Sequence, residues 1–340
     1  QIFLKKTKNI KIPPFFPPSY NENILLRTAS PALATDRKQT ERNMLMKSTL
    51  QNRKAWLLFL LPSFTLFIFT VIFPIIRSAY FGFFDWDGVT PMRFTGFSNY
   101  KKLFSDFYFR NAFWNNLIYL LINLVGQVGI ALLLALLLTK VGRGCNFFKT
   151  VYFAPTILSG VAVSQAFQKF YATEPLGVFN AILKGFGLET YITPWLGTAQ
   201  TSLASVAIIE CYKNMGLYLV IIYSGLMAIP PDVIESARMD GAKGFTLFWY
   251  IKLPYIKEVM AVAIIMAVNG LLKAFDIPFI TTNGGPGSSS ELLTTYMYKT
   301  AFSSTRYGYG SAIAVFIALE SILAVGILRK IFAKPEGDTL

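Results

Sequence analysis

The sequence predicts an all-α polytopic membrane protein with about six transmembrane helices and with both termini in the cytoplasm. The chain has 340 residues, of which 54% are hydrophobic and 15% are charged, whereas the charged fraction of soluble domains is about 25%. The hydrophobic residues lie in blocks of about 20, the length that a helix needs to cross roughly 30 Å of hydrocarbon. The basic residues, which give a net charge of +14, lie between these blocks. This distribution indicates membrane topology and argues against a nucleic-acid-binding face.

Residues 1–43 differ from the rest of the chain in composition. They contain eight Lys or Arg against three Asp or Glu, a proline-rich run from Pro13 to Pro18, and no helical apolar period. We interpret them as a basic extension that is disordered or not native, translated from upstream of a true start at Met44 or Met46. The alternative is a native basic arm in the cytoplasm. Residues 44–340 are expected to form a single transmembrane domain.

Six apolar stretches account for the predicted spans. The third is the weakest, because Pro155, Gly160 and Gln165 interrupt it. The predicted spans are Trp56 to Ile76, Leu117 to Leu138, Val151 to Phe170, Leu203 to Met227, Val259 to Ile280 and Tyr309 to Phe332.

Basic residues beside the spans predict the orientation, because Lys and Arg near span ends are retained in the cytoplasm. They place both termini and the loop between the second and third spans inside, so the loop between the fourth and fifth spans also faces the cytoplasm. Residues 77–116, 171–202 and 281–308 are then expected to face outward. The basic residues are Lys47, Arg53, Lys54, Lys140, Arg143, Lys149, Arg329, Lys330 and Lys334.

Residue content excludes several kinds of active site. The chain has no histidine and no G-x-x-x-x-G-K-[ST] phosphate-binding loop, and its two cysteines, Cys145 and Cys211, have no metal-ligand spacing. No catalytic residue, metal site or cofactor is predicted. If ATP drives the protein, another chain binds the ATP. A membrane-embedded enzyme would need a clustered catalytic group, which the sequence lacks.

The loop of residues 229–257, between the fourth and fifth spans, is the most informative segment. Pro231 and Asp232 are typical of a helix start, because proline needs no N–H partner there and acids favour the positive helix end. A short helix is expected to run to Asp240. Gly241 allows a sharp turn before a second amphipathic piece that contains Phe245 and Phe248.

This loop carries a specific resemblance. Glu235-Ser236-Ala237, then Gly241 after three residues, then Ile251-x-Leu253-Pro254, resembles the EAA loop of ABC importer membrane subunits. The chain departs from that pattern at Ser236, where the family usually has alanine. Residues 50–333 are similar to the carbohydrate branch of that family, the maltose-transporter-like permeases. The further matching segments are Phe94 to Tyr100, Phe104, Phe113, Asn115-Asn116, Phe275-Asp276, Thr281 to Pro286, Tyr296 to Tyr298, Ala301-Phe302 and Tyr307 to Tyr309.

The resemblance implies a function and a set of partners. It implies a permease subunit in a bacterial cytoplasmic membrane that combines with a second permease, a dimer of ATP-binding subunits and an extracellular solute-binding protein to import a sugar or oligosaccharide. It also implies that Glu235 contacts the ATPase and that Gly241 forms the turn. The expected coupling residues are Glu235, Ser236, Ala237, Asp240, Gly241, Ala242, Leu253 and Pro254.

Three alternatives remain open. The loop of residues 229–257 can be an ordinary amphipathic connector, whose charges only keep it solvated. A secondary active transporter would need no ATPase, but it would leave this loop unexplained and usually shows an inverted repeat, which we do not find. Within the same class, the solute can be a polyol or a glycerol phosphate.

Polar residues inside the apolar blocks suggest a solute pathway. A charge at mid-bilayer costs about 2.5–3.5 kcal/mol on insertion scales, so such residues usually face a cavity or a partner. The candidate pathway residues are Asn214, Asn269, Lys273 and Asp276. The alternative is internal pairing, since Lys273 and Asp276, like Glu210 and Lys213, are three residues apart on a predicted helix.

Overall fold

The computed structural model describes residues 53–142 and 144–332. The predicted extension 1–43, the alternative starts Met44 and Met46, and the basic residues Lys47, Arg143 and Lys334 lie outside the described residues. The described residues fall into two units, one that ends at Pro74 and one that begins at Ile75.

The first unit is helical where it is described. Its segments are the α-helix Arg53–Phe67 and the π-helical turn Ile68–Ile72. The candidate membrane span begins at Leu58 and ends at Phe81, which belongs to the second unit. Every side chain described in the first unit is exposed, as expected for a surface that faces lipid. A first span close to the predicted Trp56 to Ile76 is therefore confirmed.

The second unit contains three further continuous spans, Phe107–Leu138, Ser202–Met227 and Tyr307–Phe332. They confirm the second, fourth and sixth predicted spans. The second span begins about three turns earlier than predicted, because the Asp106 carboxylate caps the helix by accepting the backbone N–H groups of Tyr108 and Phe109.

The third and fifth predicted spans are not continuous helices. The third consists of half-helix 3a, Cys145–Ile157, and half-helix 3b, Gly160–Phe170, which are bent by 99°. The fifth consists of half-helix 5a, Lys257–Leu271, and half-helix 5b, Asp276–Thr282, which are bent by 44°. Apolar length cannot reveal such breaks, because it measures composition and not chain direction.

Proline chemistry accounts for the break in the fifth span. The ring of Pro278 would collide with the carbonyl of Ala274 in a continuous helix, and proline has no N–H to donate to it. The Ala274 carbonyl instead accepts a hydrogen bond from the Thr294 hydroxyl. Counting each bent pair as one span gives six among the described residues, so the prediction of an all-α polytopic protein is confirmed by length and composition.

Shorter elements complete the second unit. Two strands, Phe84–Asp85 (β1) and Arg93–Phe94 (β2), pair antiparallel between the first and second spans, with Phe84 opposite Phe94. The second span contains the π-helical turn Leu124–Gly129 between Phe107–Asn123 and Ile130–Leu138. The other elements are α-helix Phe73–Phe81, β1 Phe84–Asp85, β2 Arg93–Phe94, α-helices Ser98–Ser105 and Val178–Gly185, 3₁₀-helix Glu189–Tyr191, α-helices Pro231–Met239, Gly244–Leu247, Leu253–Tyr255 and Leu293–Tyr298, and π-helical turns Phe248–Lys252 and Lys299–Ser303.

Small residues form the centre of the main core. Ala131 and Ala135 of the second span, Ala207 of the fourth span and Ala263 of half-helix 5a are fully buried in one cluster. Small side chains let helix backbones approach closely, which supplies the packing that drives helix association in lipid. The fourth span also approaches half-helix 3a closely at Gly216, because a Cβ there would overlap the carbonyl oxygen of Tyr152.

The Asp106 carboxylate connects the start of the second span to the sixth span through hydrogen bonds, near the predicted outer loops. Asp106 Oδ2 accepts hydrogen bonds from the hydroxyls of Tyr296 and Tyr309, each at 2.6 Å. Partial burial of the Asp106 carboxylate favours its neutral form, but the hydrogen bonds from these two hydroxyls and from the capped amides outweigh burial and lower its pKa.

Candidate functional site

The loop of residues 229–257, hereafter the coupling loop, begins with a short helix. This coupling helix, Pro231–Met239, has Pro231 at its N-terminal end, Asp232 in its first turn and Arg238 in its last. Both charges favour the helix, because acids stabilise its positive N-terminal end and bases its negative C-terminal end. The helix ends one residue before the predicted Asp240, which is its C-cap.

A left-handed turn ends the coupling helix. Gly241 has φ +87° and its N–H donates to Arg238 O at 3.0 Å, while the N–H of Ala242 donates to Ala237 O at 2.9 Å. This pair of bonds is the Schellman motif, which satisfies the last carbonyls of a helix and requires a positive φ at one residue. The sequence pattern around Gly241 therefore fixes the turn that ends the coupling helix.

Beyond the turn lies a second helical segment, residues 244–255, with a π-helical turn in its middle. A groove of ≈ 480 Å³ lies between the two segments. Of the predicted coupling residues, Ser236, Ala237, Asp240 and Ala242 line it, together with Asp232, Val233 and Ile251. Glu235, Gly241 and Pro254 are exposed outside the groove, and Leu253 is half-buried.

The coupling loop exposes large apolar side chains while its ends are anchored. Met239 is 87% exposed and Phe245 is 73% exposed. By contrast, Ile229 and Ile256, one at each end of the loop, are 5% and 1% exposed and belong to the main core. The loop is thus fixed at both ends and offers apolar surface in its middle.

Positive charges gather beside the coupling loop. Burial of the Lys252 ammonium, with the nearby charges of Arg238 and Lys140, lowers the pKa of Lys252. Lys140 belongs to the connection between the second and third spans. Its proximity is consistent with the prediction that this connection and the coupling loop lie on the same side of the membrane.

A polar cavity of ≈ 200 Å³ lies inside the second unit. It is bordered by the break of the fifth span, by Gly160 at the start of half-helix 3b, and by Glu210 and Lys213 of the fourth span. A Cβ placed on Gly160 would lie 3.6 Å from Asp276 Cβ and 3.9 Å from Lys213 Cε. Irregular backbone at membrane depth is tolerated where it is buried in protein or lines a cavity, so the two breaks and the cavity belong together.

The predicted pathway residues gather at this cavity. Lys273 and Asp276 line it. Asn269 and Asn214 each form a hydrogen bond with a charged side chain that lines the cavity. Lys273 Nζ donates to Asn269 Oδ1 at 2.9 Å, and Asn214 Nδ2 donates to Glu210 Oε1 at 2.7 Å. The four residues named from the sequence are thus all part of one local arrangement.

The two predicted charge pairs are not in direct contact. Lys273 and Asp276 do not share a helix face, because half-helix 5a ends at Leu271 and half-helix 5b begins at Asp276. Among residues 53–142 and 144–332, Lys299 and Glu291 form an ion pair at 2.5 Å, whereas Lys273 and Asp276 form none with each other. Glu210 and Lys213 likewise form no ion pair with each other.

Sequence reasoning missed the supporting residues of the second span. Gln127 Nε2 donates to Asn123 Oδ1 at 3.1 Å and to Glu210 O at 3.3 Å, and Cys211 Sγ donates to Asn123 Oδ1 at 3.3 Å. The signal available was the pair of amides four residues apart inside an apolar block. Gly160 was noticed only as an interruption, although it also brings half-helix 3b close to Asp276.

Comparisons with known proteins agree with this architecture. The family model for the binding-protein-dependent transport system inner membrane component matches residues 52–334. The chain is 34% identical to "Probable ABC transporter permease protein YurN" of Bacillus subtilis over 84% of this chain and 97% of that one. It is 31% identical to "Multiple sugar-binding transport system permease protein MsmF" of Streptococcus mutans over 84% of this chain and 99% of that one. A chain of a bacterial ABC transporter that imports the acidic polysaccharide alginate has the same fold, with a TM-score of 0.72 at 23% identity, over 85% of this chain and 98% of that one.

Proposed function

Because the chain belongs to the family of binding-protein-dependent transport system inner membrane components, we propose that it is the permease subunit of an ATP-driven importer for a sugar or oligosaccharide. An extracellular solute-binding protein delivers the solute, and a separate dimer of ATP-binding subunits hydrolyses ATP. A second, related permease completes the membrane complex in a bacterial cytoplasmic membrane. The sugar assignment is supported by a relative named for multiple sugars.

The bent coupling loop is the observation that carries this proposal. Exposed side chains such as Met239 and Phe245 on a surface with a fixed shape support a protein contact there, because soluble surfaces rarely present large apolar groups together. Glu235 is exposed on the same helix and provides a charge for docking. An ordinary connector would need neither the Schellman turn nor exposed apolar side chains.

The anchored ends of the loop give it a way to act on the solute site. Ile229 follows the fourth span and Ile256 precedes half-helix 5a, and both are buried in the same core. A displacement of the coupling helix by the ATPase therefore moves the fourth span and half-helix 5a. The fourth span carries Glu210 and Lys213, and Lys273 follows half-helix 5a directly, so the movement reaches the polar cavity and can alternate its access.

A charge reversal tests the docking role. The tagged chain is purified from its native host with Glu235→Lys and, as a matched control, with Glu189→Lys, which reverses another exposed charge in a predicted outer loop. Co-purifying subunits are identified and solute-stimulated ATP hydrolysis is measured. We expect the unchanged chain and Glu189→Lys to retain an ATPase and a second permease, and Glu235→Lys to lose the ATPase. If no ATPase accompanies the unchanged chain, the proposal is wrong and a secondary transporter becomes the better explanation.

A further inference from the structure

Three cationic side chains meet on the predicted cytoplasmic side, where the coupling loop adjoins the connection between the second and third spans. We propose that Lys140, Arg238 and Lys252 bind the phosphate headgroup of an anionic phospholipid, and that this lipid holds the coupling loop in place for the ATPase. The effect on the ATPase rests on the proposed function. The lipid binding does not.

Buried packing brings the chain segments that carry these cations together. Leu138, the last residue of the second span, and Ile256, at the end of the coupling loop, are buried in the same core cluster. Lys140 lies two residues after Leu138. Lys252 lies one helical turn before Ile256, whose N–H donates to the Lys252 carbonyl at 3.1 Å. The two lysines are therefore held at the same end of the helix bundle, beside Arg238 of the coupling helix.

The three cations lack a counter-charge. Among the residues that the structure describes, the side chains of Lys140, Arg238 and Lys252 form no ion pair. The carboxylates of Asp232 and Asp240 line the groove of the coupling loop and form none with them either. Burial and the two neighbouring cations lower the pKa of Lys252, so its charged form is disfavoured. An anion bound among the three side chains reverses that effect, because an opposite charge favours the charged form.

Aromatic side chains favour a lipid headgroup over a dissolved anion. Trp249, Tyr250 and Tyr255 flank Lys252 in the sequence and are 51%, 71% and 51% exposed. Trp and Tyr collect at membrane interfaces, because their rings are apolar and carry a polar group. Lys140 also follows the end of a membrane span by two residues, which places it at headgroup depth. Basic pockets at the cytoplasmic ends of spans are suited to anionic headgroups.

One bound phosphate would connect three separate parts of the chain. Lys140 belongs to the connection between two spans, Arg238 to the coupling helix and Lys252 to the second helical segment of the coupling loop. A phosphate that accepts hydrogen bonds from all three would hold both segments of the loop against the membrane domain. A loop that is already ordered loses less conformational freedom when the ATPase docks, so the lipid should favour docking.

Removal of single cations tests the site in lipid discs of defined composition. The complex is purified through the tagged chain and placed in phosphatidylcholine alone or in a series of mixtures with phosphatidylglycerol. The variants are Lys252→Gln, Arg238→Gln, the charge-preserving Lys252→Arg, and the matched control Lys243→Gln, which removes another exposed cation from the same loop. Native mass spectrometry quantifies the retained phosphatidylglycerol, and ATP hydrolysis is measured in parallel.

The expected results separate a site from general surface charge. Lys252→Gln and Arg238→Gln should each weaken retention of phosphatidylglycerol about fivefold, whereas Lys243→Gln and Lys252→Arg should change it less than about twofold. Phosphatidylglycerol should increase ATP hydrolysis by the unchanged chain and by Lys243→Gln, but not by Lys252→Gln. Equal losses of lipid from Lys243→Gln and Lys252→Gln would overturn the proposal.

Two other sources of the anion give different results. If inorganic phosphate added to phosphatidylcholine discs increases hydrolysis as much as phosphatidylglycerol does, the cluster binds a dissolved anion and the lipid proposal is wrong. If Lys252→Gln loses the ATPase in phosphatidylcholine alone, the cluster contacts the ATPase and the lipid proposal is again wrong. If no ATPase accompanies the unchanged chain, the proposed function fails, while retention of phosphatidylglycerol still decides whether the lipid site exists.

Discussion

Replacing Gly241 by alanine isolates the contribution of the Schellman turn to coupling. Gly241 has φ +87°, and a Cβ at this position would have no heavy atom within 4 Å. Alanine therefore meets no steric obstacle from its surroundings, and its only penalty is the left-handed backbone, which costs an L-residue about 1–2 kcal/mol. That is small against a typical folding free energy of about 5–15 kcal/mol, so the protein is expected to fold.

The same penalty is large for the turn itself. A cost of about 1–2 kcal/mol lowers the population of the native turn, and with it the apparent affinity for the ATPase, by up to about 5- to 30-fold. Gly241→Asn should lose less, because asparagine adopts left-handed angles more readily than alanine. The readouts are the amount of ATPase retained on the tagged chain during serial dilution and the solute-stimulated ATP hydrolysis.

Gly142→Ala is the matched control for this experiment. Gly142 also has open space around its missing Cβ, but its φ is not in the left-handed region. We expect Gly142→Ala to match the unchanged chain, Gly241→Ala to lose ATPase, and Gly241→Asn to lie between them. Equal retention by Gly241→Ala and Gly142→Ala would refute the argument that the fixed turn is needed for docking.

Two predictions concern stability. Gly216→Ala should lower the thermal midpoint of the purified protein, because the added methyl overlaps the Tyr152 carbonyl and overpacking costs about 1–3 kcal/mol; an unchanged midpoint would show that the fourth span and half-helix 3a can separate freely. Asp106→Asn should also lower the midpoint at pH 7, and its difference from the unchanged chain should shrink below about pH 4. The reason is that a carboxylate whose pKa is lowered by folding stabilises the folded state at pH values above about 3.9, its ordinary pKa. This stabilisation is lost as the pH falls through the lowered pKa of the folded state. A difference that stays constant between pH 7 and pH 3 would contradict the role of the Asp106 carboxylate.

Local signals made the coupling loop readable from the sequence. Pro231 begins the coupling helix, Asp232 stabilises its positive N-terminal end, and Gly241 ends it in a left-handed turn. These features lie within eleven residues, and the structure has each where the sequence predicted it. Such features depend only on backbone geometry and nearest neighbours. The directions of the half-helices in the third and fifth spans were not predicted: Pro278 marks where the fifth span breaks, but the course of the chain after the break depends on distant contacts such as that of the Thr294 hydroxyl with the Ala274 carbonyl.

The polar cavity shows the same division between local and tertiary information. The sequence identified Lys273 and Asp276 as charges inside an apolar block, but it treated their spacing as that of a helical pair. Pro278 contained the missing signal, since a proline four residues after Ala274 forbids the continuous helix that such a pair requires. The grouping of these residues with Glu210 could not be predicted, because it depends on how the fourth span packs against two broken ones.

Hydrogen bonds between the helices indicate which parts around the cavity would move together when the coupling loop moves. Gln168 of half-helix 3b donates to the carbonyls of Ile280 and Thr281, at 2.9 and 3.2 Å, which joins half-helices 3b and 5b. Thr156 of half-helix 3a donates to Lys213 O at 2.9 Å, which joins that half-helix to the fourth span. At the breaks the regular helical ladder gives way to isolated turn bonds, such as Leu158 N–H to Pro155 O and Ala274 N–H to Leu271 O, so bending costs least there. A displaced coupling helix should therefore change the shape of the cavity before it disturbs the packing of the spans, and Gly241→Ala should reduce solute-stimulated ATP hydrolysis about as much as it reduces ATPase retention.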